Sequence, residues 1–365
     1  MHSGRIVFFL HSLAGGGAER VMVTLANSFA QRGYAVSVVL IFPYHTYADE
    51  LYPTVERVDL HAPRLLVGGL RFARYLRDVK PDAILTTLTR VNGWAIVARL
   101  LARSKARLVV REASTPTVAF KRLRTRKERL DHQVVRYLYP KADVIVAPSH
   151  GVRKDILQII PQAEPKIQVI YNPVVDEGLR QKSLEPVTHP WFTDSRVPVV
   201  LSVGRLIWDK GFDILLRAFA QVRTTKDARL VILGEGEERA SLEKLVDTLH
   251  LREWVWMPGF EKNPFKYMRR ASVFVLPSRR EGLPNALIQA MACGCPIVST
   301  NCPSGPEEIL DGGRYGHLVP VDDVDALAQA IVQTLQGDRK EVPPHWLDQF
   351  ATDHISERYL QVLLG

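Results

Sequence analysis

Arg205 and Lys210 stand five residues apart in SVGRLIWDKGFDILLRAF, flanked by Gly204 and Gly211. The segment passes from a short β-branched run into a helical pattern, which puts both cations on a strand-to-helix loop. There an arginine fork and a lysine point charge can clamp a diphosphate. Two solvated surface charges are the plainer reading, and the loop position favours phosphate. Glu281 is the acidic counterpart, in SRREGLPNALIQAMACGCPIVST. Pro284 suits a first helical turn, Asn285 to Met291 continue it and Gly294 ends it. The N–H groups at that helix start can hold an anion, while Glu281, just outside, can accept hydrogen bonds from sugar hydroxyls. A capping or dipole role worth about 0.3–1 kcal/mol accounts for Glu281 equally well. A third candidate is Gly15-Gly16-Gly17 in FFLHSLAGGGAERV, between the first strand and a helix, where backbone can approach a phosphate or sugar closely. A flexible turn is the duller reading. The spacing is not G-x-G-x-x-G, and no acid ends the second strand to meet a ribose hydroxyl, which disfavours a dehydrogenase.

The largest charge feature is AFKRLRTRKERLDHQVVRYLY, where Lys121, Arg122, Arg124, Arg126, Lys127 and Arg129 oppose Glu128 alone. At helical spacing Phe120, Leu123, Leu130, Val134, Tyr137 and Leu138 share an arc of roughly 100°, interrupted by Lys127. With Arg71, Arg74 and Arg77 as another stripe in the same domain, this favours an anionic membrane surface or a lipid-linked phosphate over a merely solvated helix. No aromatic-basic recognition element accompanies the charge, which argues against nucleic acid. Asp323–Asp325 matches D-x-D but reads better as a helix start. Glu235 can serve a ribose or base, or start a helix; His11 can face the site or the core. Cys293, Cys295 and Cys302 lack paired zinc spacing, so no metal is expected.

Positioning these residues requires a regular scaffold. Short strand-like runs alternate with helical patterns throughout: Arg5–Leu10, Ala35–Ile41, Ala83–Thr86, Leu108–Arg111, Val144–Ala147 and Ile167–Ile170, then Val199–Val203, Arg229–Leu233, Val255–Met257, Val273–Leu276, Ile297–Ser299 and His317–Val319. Such alternation builds α/β domains, each a parallel sheet covered by helices. The 365 residues fit two domains. Residues 1–172 form the first; 173–197, rich in proline and without period, read as a linker. Residues 198–342 form the second, and 343–365 a helical end that can pack back on the first. Hydrophobic content of 46% and charged content of 24% suit a globular chain. The net charge of +9 divides unevenly, about +13 over residues 1–170 and −4 thereafter, so the first half is expected to face something anionic. Three cysteines in a short window, no secretory pattern in residues 1–15 and no spanning apolar run lead to the expectation of a cytoplasmic protein.

Taken together, LAGGGAERVMVTLANSFAQRGY, PSHGVRKDI, YNPV, SVGRLIWDKGFDILLRAF, LVILGEGEERASLE and MPGFEKNPFKYMRRASVFVLPSRREGLPNALIQAMACGCPIVSTNCPSGPEEILDGGRYGHLVPVDD resemble a retaining glycosyltransferase of family 4. CPSGPEEIL is similar to the branch that makes bacterial surface polysaccharides and lipid-linked oligosaccharides. The resemblance implies the GT-B fold, two Rossmann-like parallel-sheet domains facing across a cleft, with the acceptor in the first and a nucleotide sugar in the second. It implies that Arg205 and Lys210 bind the donor diphosphate and that Glu281 contacts the transferred sugar. Backbone N–H groups of Gly282, Leu283 and Asn285 would support sugar and phosphate, and Gly259 and Phe260 would hold the base. Gly16 and Gly17 would lie against the donor phosphates. The family's Glu-x7-Glu is here Glu281 followed by Gln289, an amide that can accept from a ribose hydroxyl without carboxylate charge. Where many relatives carry a histidine, this chain reads VVREASTP, with Arg111, Glu112 and Ser114; Arg111 joins Lys121, Arg122, Arg124 and Arg126 as a candidate for acceptor or membrane contact.

The resulting expectation is transfer, with retention and without metal or cofactor, of a hexose or N-acetylhexosamine from a nucleotide sugar, UDP-linked by preference, to a lipid-linked glycan hydroxyl. The enzyme would sit peripherally on the inner face of the cytoplasmic membrane. The rivals are an epimerase or phosphorylase on the same fold, and a catalytically weakened glycan- or membrane-binding protein.

Overall fold

The structure is a computed structural model describing residues 4–44, 46–116, 126–193 and 196–365. The chain divides into two compact units, residues 1–174 with 349–365, and residues 175–348.

The first unit is built on a parallel sheet in the order β3-β2-β1-β4-β5-β6-β7. Its strands are β1 Arg5–Leu10, β2 Ala35–Leu40, β3 Glu56–Asp59, β4 Ala83–Thr87, β5 Arg107–Arg111, β6 Val144–Ala147 and β7 Ile167–Val169. The central strand RIVFFL is apolar along nearly its whole length because both sheet faces are covered. Its side chains alternate between two cores. Ile6, Phe8 and Leu10 pack with α1 (Gly17–Gln31) and the C-terminal helix Thr352–Leu364, while Val7 and Phe9 meet α2 (Leu65–Val79) and α3 (Thr89–Ala102) on the other face. Phe9 and Phe72 stack with centroids 3.9 Å apart. The C-terminal helix belongs to this unit through Ile355, Tyr359 and Leu363 in the core. Arg107 Nε also donates to Val362 O at 2.8 Å, and Arg358 Nη2 to Val169 O at 2.8 Å. The edge strand β3, ERVD, lacks an apolar run because an edge tolerates charge.

The second unit repeats the plan in the order β10-β9-β8-β11-β12-β13. Here β8 is Val199–Val203, β9 Arg229–Leu233, β10 Val255–Gly259, β11 Val273–Leu276, β12 Ile297–Thr300 and β13 His317–Val319. The helix Phe212–Thr225 buries Phe212, Leu215, Leu216, Phe219 and Val222 in the same core as Leu327 and Ile331 of the helix Val324–Leu335.

The stretch expected as a linker without period contains a helix. Asp176 accepts from Leu179 N at 2.7 Å and caps a helix over Glu177–Leu184. Asn263 Nδ2 holds its end through Lys182 O at 2.9 Å and Glu185 Oε2 at 2.8 Å. Further on, His189 stacks on Trp256 at 3.8 Å. The prolines hide the period, but an eight-residue capped helix needs little of it.

Gly211 sets the geometry at the end of β8. Its φ is +65°, and a Cβ there would overlap the carbonyl oxygen of Pro277. Gly211→Ala combines left-handed strain with a backbone clash, and should destabilise the second unit by about 2 kcal/mol or more. Urea unfolding followed by tryptophan fluorescence measures this, because Trp94 is the one tryptophan of the first unit.

Candidate functional site

In an open parallel sheet, ligands collect beyond the carboxyl ends of the strands where strand order reverses. In the second unit that point lies between the paired strands β8 and β11. The loop after β8 carries Arg205 and Lys210, and the loop after β11 carries Glu281. The two loops meet. Lys210 Nζ donates to Glu281 Oε1 at 2.6 Å, and Ser278 Oγ donates to the same oxygen at 2.7 Å. Glu281 is 8% exposed. A carboxylate so far from water needs its partners, and losing one from such a pair costs about 3–5 kcal/mol. Glu281 is therefore not a helix cap; its ion pair runs to the other loop.

The contact extends in register. Arg279 Nη1 donates to Trp208 O at 2.8 Å, Arg280 Nη2 to Asp209 Oδ2 at 2.6 Å, and Lys210 to Glu281. Three consecutive residues, 208–210, thus face three others, 279–281. Sequence reasoning passed over this ladder, although WDK and RRE carry complementary charges. Arg205 stands apart: it is exposed and, among the described residues, its side chain has no partner.

The remaining second-unit candidates lie on neighbouring elements. Gly282 and Leu283 are buried beneath the start of the helix Asn285–Ala292, where Ser304 Oγ donates to Gly282 O at 2.7 Å. Asn285 and Gln289, four apart, share that helix's half-exposed face. Gly259 ends β10 at φ +100°, and Phe260 beyond it is 55% exposed. Glu235 is gripped by Arg239, whose Nε and Nη2 reach it at 2.8 and 2.7 Å. Those bonds hold the Glu235 carboxyl below its ordinary range. Asp323 accepts from Ala326 N at 2.9 Å as a helix cap, and Asp325 accepts from Gln221 Nε2 at 2.7 Å, so D-x-D is here a helix start. The three thiols are free and buried; burial pushes those of Cys293 and Cys302 up to about 12. Among the described residues no group of three His, Cys, Asp or Glu could hold a metal ion.

In the first unit Gly16 is the N-cap of α1, with Gly17 the first helical residue. The Glu19 carboxylate lies beside Gly16, in the space that a Cβ there would take. A surface concavity of about 440 Å³, lined by His150, Arg153, Gln168, Val169, Tyr171 and Arg358, contains none of the expected site residues. Arg111 is corrected: it is 2% exposed, and its guanidinium donates to Thr87 Oγ1 at 3.1 Å and Asn172 Oδ1 at 2.6 Å. It braces the ends of β4 and β5 and cannot reach a membrane surface. Lys121, Arg122 and Arg124 lie outside the described residues, as does the side chain of Arg126, where the described helix Arg126–Tyr137 begins. Along that helix the expected apolar arc divides. Val134 and Leu138 pack on the core, while Leu130 and Tyr137 are 56% and 59% exposed. No helix among the described residues is long and apolar enough to cross a membrane.

Residues 15–177 match the family described as Glycosyltransferase Family 4, and residues 197–337 that described as Glycosyl transferases group 1. Over 343 residues, 92% of this chain and 91% of the relative, the sequence is 32% identical to a Campylobacter jejuni enzyme. That relative is the N-acetylgalactosamine-N,N'-diacetylbacillosaminyl-diphospho-undecaprenol 4-alpha-N-acetylgalactosaminyltransferase. The chain belongs to glycosyltransferase family 4. It is also 27% identical to the lipopolysaccharide core biosynthesis glycosyltransferase LpsE of Rhizobium meliloti, over 95% of this chain and 96% of the relative. The crystal structure of Anabaena HepE with UDP and glucose superposes with a TM-score of 0.80 at 21% identity, covering 99% of both chains. The fold is accordingly GT-B, and the enzyme is a glycosyltransferase of the kind that makes bacterial surface polysaccharide.

The first unit of this family 4 chain also holds a buried polar cluster that sequence reasoning missed. Glu112, 2% exposed, accepts from Tyr139 OH at 2.5 Å, Ala113 N at 2.9 Å and Thr89 Oγ1 at 3.1 Å. Asn92 Nδ2 donates to Tyr139 OH at 2.8 Å. Burial raises the Glu112 carboxyl above its ordinary 4.5, although these bonds oppose the shift. A raised folded value means that the native state keeps the proton longer than the unfolded chain does. The Glu112 contribution is therefore fullest below the ordinary value and is lost as pH rises through the raised one. Glu112→Gln should remove that slope. Urea unfolding of both proteins from acid to neutral pH tests this; a stability difference that does not change with pH would count against it.

Proposed function

We propose that this family 4 enzyme transfers a hexose or N-acetylhexosamine, with retention, from a UDP-sugar to a hydroxyl of a lipid-linked glycan. The observation carrying this reading is the Lys210–Glu281 pair at the β8–β11 switch point, with Arg205 exposed on the same loop. In this reading Arg205 and Lys210 receive the diphosphate and Glu281 contacts the sugar. Gly282, Leu283 and Asn285 support sugar and phosphate, Gln289 faces the ribose, and Gly259 and Phe260 hold the base. The acceptor oxygen bonds to the anomeric carbon on the face that the diphosphate leaves. The breaking C–O bond gives its electron pair to the β-phosphate oxygen, which takes up the acceptor proton. Arg205 and Lys210 stabilise the charge growing there, the task that metal ions perform in other sites.

The choice of UDP draws support from the UDP complex of HepE, and that of a lipid-linked acceptor from the undecaprenol-linked substrate in the Campylobacter enzyme's name. Family membership favours transfer over epimerisation or phosphorolysis. The first test is calorimetric binding of UDP-hexoses and UDP-N-acetylhexosamines, followed by NMR of the product's anomeric configuration. Inversion, or loss of activity with a chelator, would contradict the retaining, metal-independent mechanism.

Arg205→Ala should lower turnover by about 10²-fold or more while leaving the melting temperature unchanged, since its side chain is exposed and without partner among the described residues. Lys210→Gln should lower turnover similarly but also lower the melting temperature, because Glu281 keeps its burial and loses its counter-charge. Full turnover in either variant contradicts the clamp.

The same proposal places the first unit on anionic lipid. Arg74 is exposed on α2 beside the exposed Leu66 and Leu70, and Leu100 and Leu101 are exposed at the end of α3. Each basic residue near a membrane adds about 1 kcal/mol. Replacing Lys121, Arg122, Arg124 and Arg126 by Gln should weaken co-sedimentation with anionic vesicles at low salt and spare UDP-sugar binding. Equal sedimentation of wild type and variant would remove the membrane role.

A further inference from the structure

Arg279 is 8% exposed in its side chain, and every arm of its guanidinium is engaged. Nη1 and Nη2 form a fork on Asp213 at 2.8 and 2.7 Å, Nη1 also donates to Trp208 O at 2.8 Å, and Nε donates to Asp322 at 2.5 Å. The plane of the group lies over the Trp208 ring, 4.3 Å from its centroid. Its own backbone N–H donates to Asp209 O at 2.8 Å. One side chain thus ties four segments together: the loop that presents Lys210, the first turn of the helix Phe212–Thr225, the turn before the helix Val324–Leu335, and the loop that presents Glu281. Four of its five N–H donors are thus taken up within the protein.

We infer that Arg279 is a positioning residue for the sugar-transfer reaction, holding the 208–210 loop against the 279–281 loop so that Lys210 and Glu281 stand in the geometry the diphosphate sugar requires. The inference rests on the donor-site reading proposed above. Its physical basis is that Lys210 and Glu281 sit on loops, which by themselves do not fix a side chain to within a few tenths of an ångström. The rung at Asp209–Arg280 sits beside them, but both of its side chains are about a quarter exposed, 27% and 26%. Arg279 is the buried rung, and its planar fork serves two carboxylates and a carbonyl at once, which a lysine cannot do. Misplacement of a catalytic group by about 1 Å costs roughly 10²-fold in rate.

The test compares Arg279→Gln, Arg279→Lys, Lys210→Gln and the double variant Arg279→Gln/Lys210→Gln, with release of UDP from the preferred UDP-sugar as readout. Arg279→Gln should lower kcat by about 10²-fold with donor KM changed by less than about threefold, because the loss falls on geometry in the transition state. Arg279→Lys should recover only a small part, since charge without the fork does not restore the contacts. The double variant should be no more than about threefold slower than Lys210→Gln alone, because the residue being positioned is already gone. A merely structural role would instead lower kcat of the double variant by a further 10²-fold or so, multiplying the two losses, and would overturn the inference. So would full turnover of Arg279→Gln beside an impaired Lys210→Gln, which leaves the donor-site reading standing. Full turnover of Lys210→Gln sinks both. Should Arg279→Gln fail to fold, Asp322→Asn removes a single arm at a half-exposed partner. The same non-additivity with Lys210→Gln is then expected, and additive losses overturn the inference.

Discussion

The second unit depends on two loops lying against each other in one register. They leave neighbouring parallel strands, β8 and β11, at the point where the sheet reverses its order. Gly211, in a left-handed conformation against the Pro277 carbonyl, permits the approach, and the rungs 208–279, 209–280 and 210–281 decide the alignment. A slip by one residue in one direction would set Asp209 against Glu281; in the other, Lys210 would meet Arg280. Like charges meet in both cases, at partly buried positions where repulsion is weakly screened. The order of charges along WDK and RRE therefore favours the register that brings Lys210 to Glu281, the one in which both charged rungs are attractive.

That arrangement makes the proposed diphosphate clamp asymmetric. Lys210 is committed to a buried carboxylate, while Arg205 is exposed with no side-chain partner among the described residues. An ammonium has three donors, and only one is taken by Glu281, so Lys210 can accept a phosphate without abandoning its partner. Glu281 then serves two ends: it fixes the ammonium, and its second oxygen remains for a sugar hydroxyl. In this reading, one arm of the clamp is preorganised by the fold and the other is ordered by the ligand, which reserves most of the ordering cost for a single side chain.

The scaffold was legible because buried parallel strands must be apolar runs, and twelve of the thirteen strands among the described residues announce themselves that way. β3 does not: ERVD is an edge strand whose Glu56 accepts from Ser37 Oγ at 2.7 Å. Lys210 and Glu281 were legible as separate candidates, but their pairing was not, since 71 residues separate them and only the β8–β11 neighbourhood brings them together. Arg111 shows the opposite error. Counting charge treats every arginine as surface, whereas the last residue of a strand between two covered faces points its side chain into a core, where Thr87 and Asn172 receive it. Glu112 was noted as a departure from the family pattern, but its environment depends on Tyr139 and Thr89, which no local spacing reveals.

Geometry leaves the formal excess of positive charge in the first unit unchanged, but it shows how many of its cations already have partners. Arg20 pairs with Glu50, Arg32 with Asp353 and Glu357, Arg90 with Asp131, Arg99 with Asp143 and Arg153 with Glu164. Arg71, Arg77, Arg107, Arg358 and Lys166 donate to backbone carbonyls. Some of the cations that are left share their surface with leucines. Arg64, Arg74 and Arg103, exposed and without side-chain partners among the described residues, flank or sit within α2 and α3, which also expose Leu66, Leu70, Leu100 and Leu101. A polyanion in water rewards charge alone, and the leucines would be a liability facing it. A bilayer interface rewards cation and leucine together, the first through the headgroups and the second through the acyl boundary. It is this mixture, and not the total charge, on which the proposed membrane contact rests.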